Sequence, residues 1–207
     1  EVDFRDELYE LNAPFEGDGN SIFKSINRLA GIIWGDKTKA IAIDYWVKNR
    51  NEKTYLFNPS NVNQEPKIIY DRNYQDRYSD PGSFLTERNI YNKNVLKIES
   101  NSLILIGDGY SKKGQFPFID KLSLNDFSSN RIYKSSYTDK LEDILDFDIK
   151  KNQLLVRIES KSDYPNYYFK SLNGRRINKI TDFKNPFDNL NLVDKQVISY
   201  KRNDGVE

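Results

Sequence analysis

The sequence predicts an all-β chain, a partial β-propeller of about three and a half four-stranded antiparallel blades. Three observations carry that expectation. Short apolar runs of strand length recur through the 207 residues, separated by clusters of Asn, Asp, Gly, Pro and Ser. No segment carries a comparably long apolar stripe at helical spacing. The runs also group into units of roughly 40 to 60 residues, each too small to bury its own apolar faces unless it stacks on a neighbour.

Taken along the chain, the apolar runs predict strands at Leu29 to Trp34, Ala40 to Val47, Thr54 to Phe57, Lys67 to Tyr70, Val95 to Ile98 and Leu103 to Ile106. Further strands are expected at Phe118 to Leu122, Arg131 to Tyr133, Leu154 to Ile158, Tyr167 to Phe169 and Ile177 to Ile180. The segment Thr138 to Phe147 suits a short helix or a strand, and its setting favours strand. In each unit two strands joined by a charged turn come first, as in RLAGIIWGDKTKAIAIDYW; an aromatic strand, a polar turn and a last strand follow, as in NYYFKSLNGRRINKITDF. This divides the chain into a half blade over residues 1–24, blades over about 28–72, 94–136 and 140–182, and the start of a further strand over 196–207. Three and a half blades do not close a ring of the usual four to eight.

Composition narrows the chemistry. The 32 Lys and Arg balance 31 Asp and Glu, so no global field draws in nucleic acid or an anionic membrane. No window reaches the roughly 18 to 20 apolar residues of a membrane-spanning helix. With no cysteine, disulfides and thiolate chemistry are excluded from these residues; with no histidine, so are a Ser-His-Asp relay and a histidine general base. No cofactor or metal motif is present. The first residue is Glu1, not methionine, which leaves a targeting segment upstream open.

Several segments could carry function. DRNYQDRYSDPGS gathers Asp71, Arg72, Asp76, Arg77, Tyr78 and Asp80 beside a Pro81–Gly82 turn, either as a ligand-facing loop or as a connection tied down by Asp–Arg pairs. GDGYSKKGQFPF lacks the order of a phosphate loop and reads as a wide hairpin. Asn173–Gly174 predicts a type I′ hairpin turn. Trp34, Tyr45, Trp46, Tyr55 and Phe57 are expected to fill the space between sheets. The pairs Glu142/Asp143 and Asp146/Asp148 formally allow carboxylate acid–base work, which needs both groups in one cleft.

DRNYQDRYSDPGS, LILIGDGYSKKGQFPFIDKLSL, LLVRIESKSDYPNYYFKSL, ITDFKNPF and KQVISYKRNDGVE together resemble, in that order, the propeller of the prolyl oligopeptidase family of serine peptidases, in its glutamyl endopeptidase-like branch. The resemblance implies a C-terminal α/β-hydrolase domain that carries the Ser, Asp and His of the triad, with this chain gating and selecting peptide substrates. No catalytic residue is carried over. If the parent prefers an acidic residue before the scissile bond, Arg88, Lys113 and Arg157 are substrate-binding candidates by charge and by position near loops or strand ends. The resemblance further suggests a periplasmic or secreted location. The alternative is a freestanding propeller-like binding module without enzymatic activity.

Overall fold

The computed structural model describes residues 3–187, 196 and 198–205. The chain is an all-β domain of several antiparallel sheets of two to five strands. A first sheet pairs β1 (Asp6–Glu10) with β2 (Asn20–Ser25). The second is a four-stranded meander of β3 (Arg28–Asp36), β4 (Lys39–Trp46), β5 (Asn51–Phe57) and β6 (Lys67–Asn73). A short 3-10 turn at Arg77–Ser79 leads to β7 (Ser83–Phe84) and to a small hairpin of β8 (Thr86–Arg88) and β9 (Asn94–Leu96).

In the third sheet β10 (Ile98–Glu99) and β11 (Ser102–Gly107) are followed by a hairpin, β12 (Tyr110–Ser111) with β13 (Gly114–Gln115), and then by β14 (Phe118–Ser123) and β15 (Ser129–Lys134). β7 joins this sheet through β11. The fourth sheet is again a meander, β16 (Leu141–Asp148), β17 (Gln153–Glu159), β18 (Asn166–Ser171) and β19 (Ile177–Lys179).

The sheets stack face to face in chain order, and strand periodicity explains how. Successive side chains leave a strand on opposite faces. In β4, Ala40 and Ala42 join Phe23, Tyr55 and Phe57 on the side of the first sheet. Ile41, between them, packs with Leu103, Leu105 and Leu122 of the third sheet. The third sheet turns Ile104, Ile119 and Tyr133 the other way, onto Phe147, Leu154, Val156 and Ile158 of the fourth. Sheets covered on both faces are written as near-continuous apolar runs, as in KAIAIDYW and SLILIG. Each fully buried Leu or Ile contributes about 1.5–3 kcal/mol of transfer free energy.

Turn chemistry fits the pairing. Glu99 pairs with Ser102 across a two-residue loop in which Ser100 and Asn101 both have positive φ, 48° and 52°, the geometry of a type I′ turn. The turn expected at Asn173–Gly174 differs: only Gly174 is left-handed, at φ 71°. Five residues join Ser171 to Ile177, so the turn closes with Gly174 N donating to Ser171 O and Arg175 N donating to Asn173 Oδ1.

Thr138 to Phe147 is strand from Leu141 onward. Val95 to Ile98 splits into β9 and β10, which belong to different sheets. Tyr55 and Phe57 fill the seam between sheets as expected, whereas Trp34 and Tyr45 remain exposed, Trp34 beside the Phe57 ring and Tyr45 on the opposite face of the sheet beside Tyr74. The strand expected from residue 196 is absent among the described residues of that tail, where Ile198 and Tyr200 are exposed. Residues 197, 206 and 207 lie outside the described residues.

Candidate functional site

Two adjoining cavities open where the connection from β6 to β7 crosses between the second and third sheets. The inner one, about 310 Å³, is lined by Ile33, Ile43, Glu52, Thr54, Tyr70, Arg72, Tyr74 and the segment Asp80 to Phe84. The outer one, about 440 Å³, shares Tyr70, Asp80 and Pro81 with it and continues past Tyr110, Phe116, Phe118, Arg131 and Lys134.

Local sequence sets the connection. Asp76 caps the 3-10 turn by accepting from Tyr78 N at 3.0 Å, and Asp80 Oδ1 accepts from Gly82 N at 2.9 Å. Gly82 sits at φ 88°, where a Cβ would lie 2.4 Å from the Ile106 carbonyl oxygen, so only glycine lets the chain pass this close to β11. Gly109 does the same for the β12–β13 hairpin, where a Cβ would lie 1.9 Å from the Phe116 carbonyl oxygen.

Arg72 is the centre of the inner cavity. It lies opposite Glu52 in the β5–β6 register, and its side chain is only 10% exposed. Nη1 is 3.5 Å from Glu52, Nη2 is 3.3 Å from Asp80, and Nη2 donates to the Asp76 carbonyl at 3.1 Å. Nε is buried with no hydrogen-bond partner among the described residues. A buried donor without an acceptor costs about 1–3 kcal/mol. Burial pushes the Glu52 carboxyl above its usual range, a shift that Arg72 opposes and Asp80 reinforces.

The outer cavity is lined by cations set against aromatic faces. Arg131 lies 3.7 Å from the centre of the Phe118 ring and grips Asp120 through Nε and Nη2 at 2.8 and 2.9 Å. At its edge Arg77 lies 4.1 Å from the Tyr110 ring centre, and Lys134 lies 5.5 Å from that of Phe116.

Tyr70 lines both cavities, and burial pushes its phenol up from 10.0 to about 12. The folded state therefore keeps a proton that the unfolded chain releases. The stability linked to Tyr70 is fully present below pH 10 and is lost as pH rises from 10 toward about 12. Titration followed by phenolate absorbance is expected to show a late-ionising component that shrinks in Tyr70→Phe; an unchanged alkaline profile would count against this burial.

The residues expected to bind substrate fall elsewhere. Arg88 ends β8, and its Nη1 donates to the Asn92 carbonyl at 2.7 Å. Lys113 sits exposed in the β12–β13 turn, its backbone N donating to Ser111 Oγ at 3.2 Å. Arg157 lies in β17 on the face away from the third sheet, held by Asp143 at 3.0 and 2.6 Å and 3.5 Å from Glu159. The three occupy separate elements, and none lines either cavity. Arg72, Tyr74 and Asp80 stood in the DRNYQDRYSDPGS segment, but Glu52 and Arg131 carried no sequence signal, because strand register alone places them there. Glu142 and Asp143 leave β16 on opposite faces, one toward Lys170 and the other toward Arg157, so they cannot act as a pair in one cleft.

The stacked sheets and their paired cavities thus define a β-sheet domain with a ligand-sized opening between sheets. No family model matches the chain. It is 31% identical over 223 residues to a probable chloroplastic glutamyl endopeptidase of Oryza sativa subsp. japonica, covering 100% of this chain and 24% of that protein. A protein of the same description from Arabidopsis thaliana is 30% identical over 224 residues, with 100% of this chain and 23% of that protein covered. Among solved structures, TolB from Acinetobacter baumannii is similar with a TM-score of 0.41 and 13% identity, over 85% of this chain and 37% of that one. The chain is homologous to glutamyl-endopeptidase-like proteins of the prolyl oligopeptidase clan, and it spans about a quarter of the length of the curated relatives it matches.

Proposed function

We propose that this chain is a propeller-like, substrate-selecting part of a serine peptidase, each four-stranded meander acting as one blade. The observation that carries the reading is the alignment of the whole chain to about a quarter of proteins described as probable glutamyl endopeptidases. The serial stack of sheets and the ligand-sized opening on one rim support it, since loops on a rigid scaffold are where binding groups gather. The division of labour follows from composition. A Ser-His-Asp relay needs a histidine, and these 207 residues have none, so the triad comes from an α/β-hydrolase domain elsewhere in the same protein.

A fluorophosphonate probe on the full-length gene product tests this, with peptide mapping of the labelled serine. The label is expected on a serine outside residues 1–207, in a product that cleaves peptides after acidic residues. Hydrolysis by the 207-residue chain alone would overturn the proposal, and so would a full-length product that takes no label and cleaves no peptide.

A further inference from the structure

A third cavity lies apart from the two already described and shares no lining residue with either. It measures about 640 Å³ and opens where the β16–β17 and β18–β19 turns meet at one end of the fourth sheet. Leu172 N donates to the Asn152 carbonyl at 2.8 Å, which ties the two turns together. Ser171 fixes the second turn: its Oγ accepts from Arg176 N at 3.0 Å and donates to Asn173 Oδ1 at 2.8 Å. That turn brings Arg175 and Arg176 to the cavity wall, and neither guanidinium has a hydrogen-bond or ion-pair partner among the described residues. Lys151, on the first turn, is offset by Asp148 at 3.2 Å, and no carboxylate lines the space.

The wall therefore carries two uncompensated charges on planar groups that grip oxyanions through paired N–H donors. A monoanion would leave one of them unmet, whereas a phosphate monoester carries about 1.5 to 2 negative charges near neutral pH. Ile132 of β15 and Leu172, which pack on the apolar seam between the third and fourth sheets, supply an apolar side. The volume is that of a small-molecule site, larger than a bare ion fills. We propose that this cavity binds a small phosphate monoester, its phosphate held by Arg175 and Arg176 and its organic body laid against Ile132 and Leu172. The site is independent of the peptidase reading, because it lies outside the cavities near the β6–β7 connection.

Calorimetry on the full-length gene product tests it, with phenyl phosphate, inorganic phosphate and benzoate as probes. Phenyl phosphate is expected to bind at least about tenfold more tightly than inorganic phosphate, which lacks the apolar body, and than benzoate, which lacks the second charge. Arg175→Gln and Arg176→Gln are each expected to weaken phenyl phosphate by about tenfold. Both arginines are exposed, so the thermal midpoint is expected to stay unaltered. Lys113→Gln, an exposed cation on another sheet, is expected to change nothing. Inorganic phosphate binding as tightly as phenyl phosphate would overturn the monoester assignment, and benzoate doing so would overturn the charge argument. No binding of phenyl phosphate, or binding that neither arginine substitution weakens, would overturn the site itself.

Discussion

Glu142→Leu is expected to destabilise the chain by about 3–5 kcal/mol, because it leaves a buried ammonium without its counter-charge. Glu142 is fully buried in β16. It accepts from Tyr133 at 2.6 Å and from Lys170 at 2.8 Å, and Lys170 also donates to the Tyr133 hydroxyl at 2.8 Å. The Lys170 Nζ lies 4.6 Å from the centre of the Tyr137 ring. Tyr133 belongs to the third sheet while Glu142 and Lys170 belong to the fourth, so this polar group sits within the same seam as Ile104 and Val156. The burial and the Glu142 hydrogen bond both push the Tyr133 phenol upward, so the proton stays on the tyrosine. Removing both charges with Glu142→Leu/Lys170→Met is expected to recover most of the loss, as apolar replacement of buried pairs often does. Urea denaturation of the single and double variants checks this. A double variant no more stable than the single one would show that the two charges are not energetically coupled.

The second large effect is expected at Asp44. Its carboxylate is fully buried and accepts from Asn27 N at 2.9 Å, Asn27 Nδ2 at 3.0 Å and the Tyr55 hydroxyl at 2.9 Å. These bonds fasten the residue that precedes β3 to β4 and β5. Asn27 extends the network by donating to Asn51 Oδ1 at 2.9 Å. Asp44→Ala leaves Asn27 N and the Tyr55 hydroxyl without this acceptor and Asn27 Nδ2 with only its bond to Asn51, and at about 1–3 kcal/mol for each stranded donor the loss is expected to reach about 3–4 kcal/mol after relaxation. Asp44→Asn keeps the volume and one acceptor, so an intermediate loss is expected. The same urea series reads it, and a cost below about 1 kcal/mol for Asp44→Ala would mean that water satisfies these donors.

Much of the fold was legible because strands advertise themselves at period two. Leu154, Val156 and Ile158 alternate with Leu155 and Arg157, and the structure puts the first three against the third sheet. The buried polar groups were not legible in the same way. Glu142 and Asp143 are neighbours of like charge in sequence, yet one is fully buried against a lysine and the other faces Arg157 near solvent. Only the pairing of β16 with β17, interrupted by a bulge between Ile144 and Asp146, decides which face each takes. The cavity shows the same division. Charge and loop position pointed to Arg88, Lys113 and Arg157, but enclosure depends on which strand lies alongside, and that information resides in the register of Glu52 with Arg72.

The order of the apolar seams bears on how the chain loses structure. The first seam ties the first and second sheets, the next ties the second and third, and the last ties the third and fourth. Among the described residues a disturbance is then handed from neighbour to neighbour. The two outermost sheets, each clasped from one side among the described residues, would fray first under denaturant. Amide protons of β4, β11 and β14 would exchange last, making the middle of the stack the nucleus to which the ends are attached.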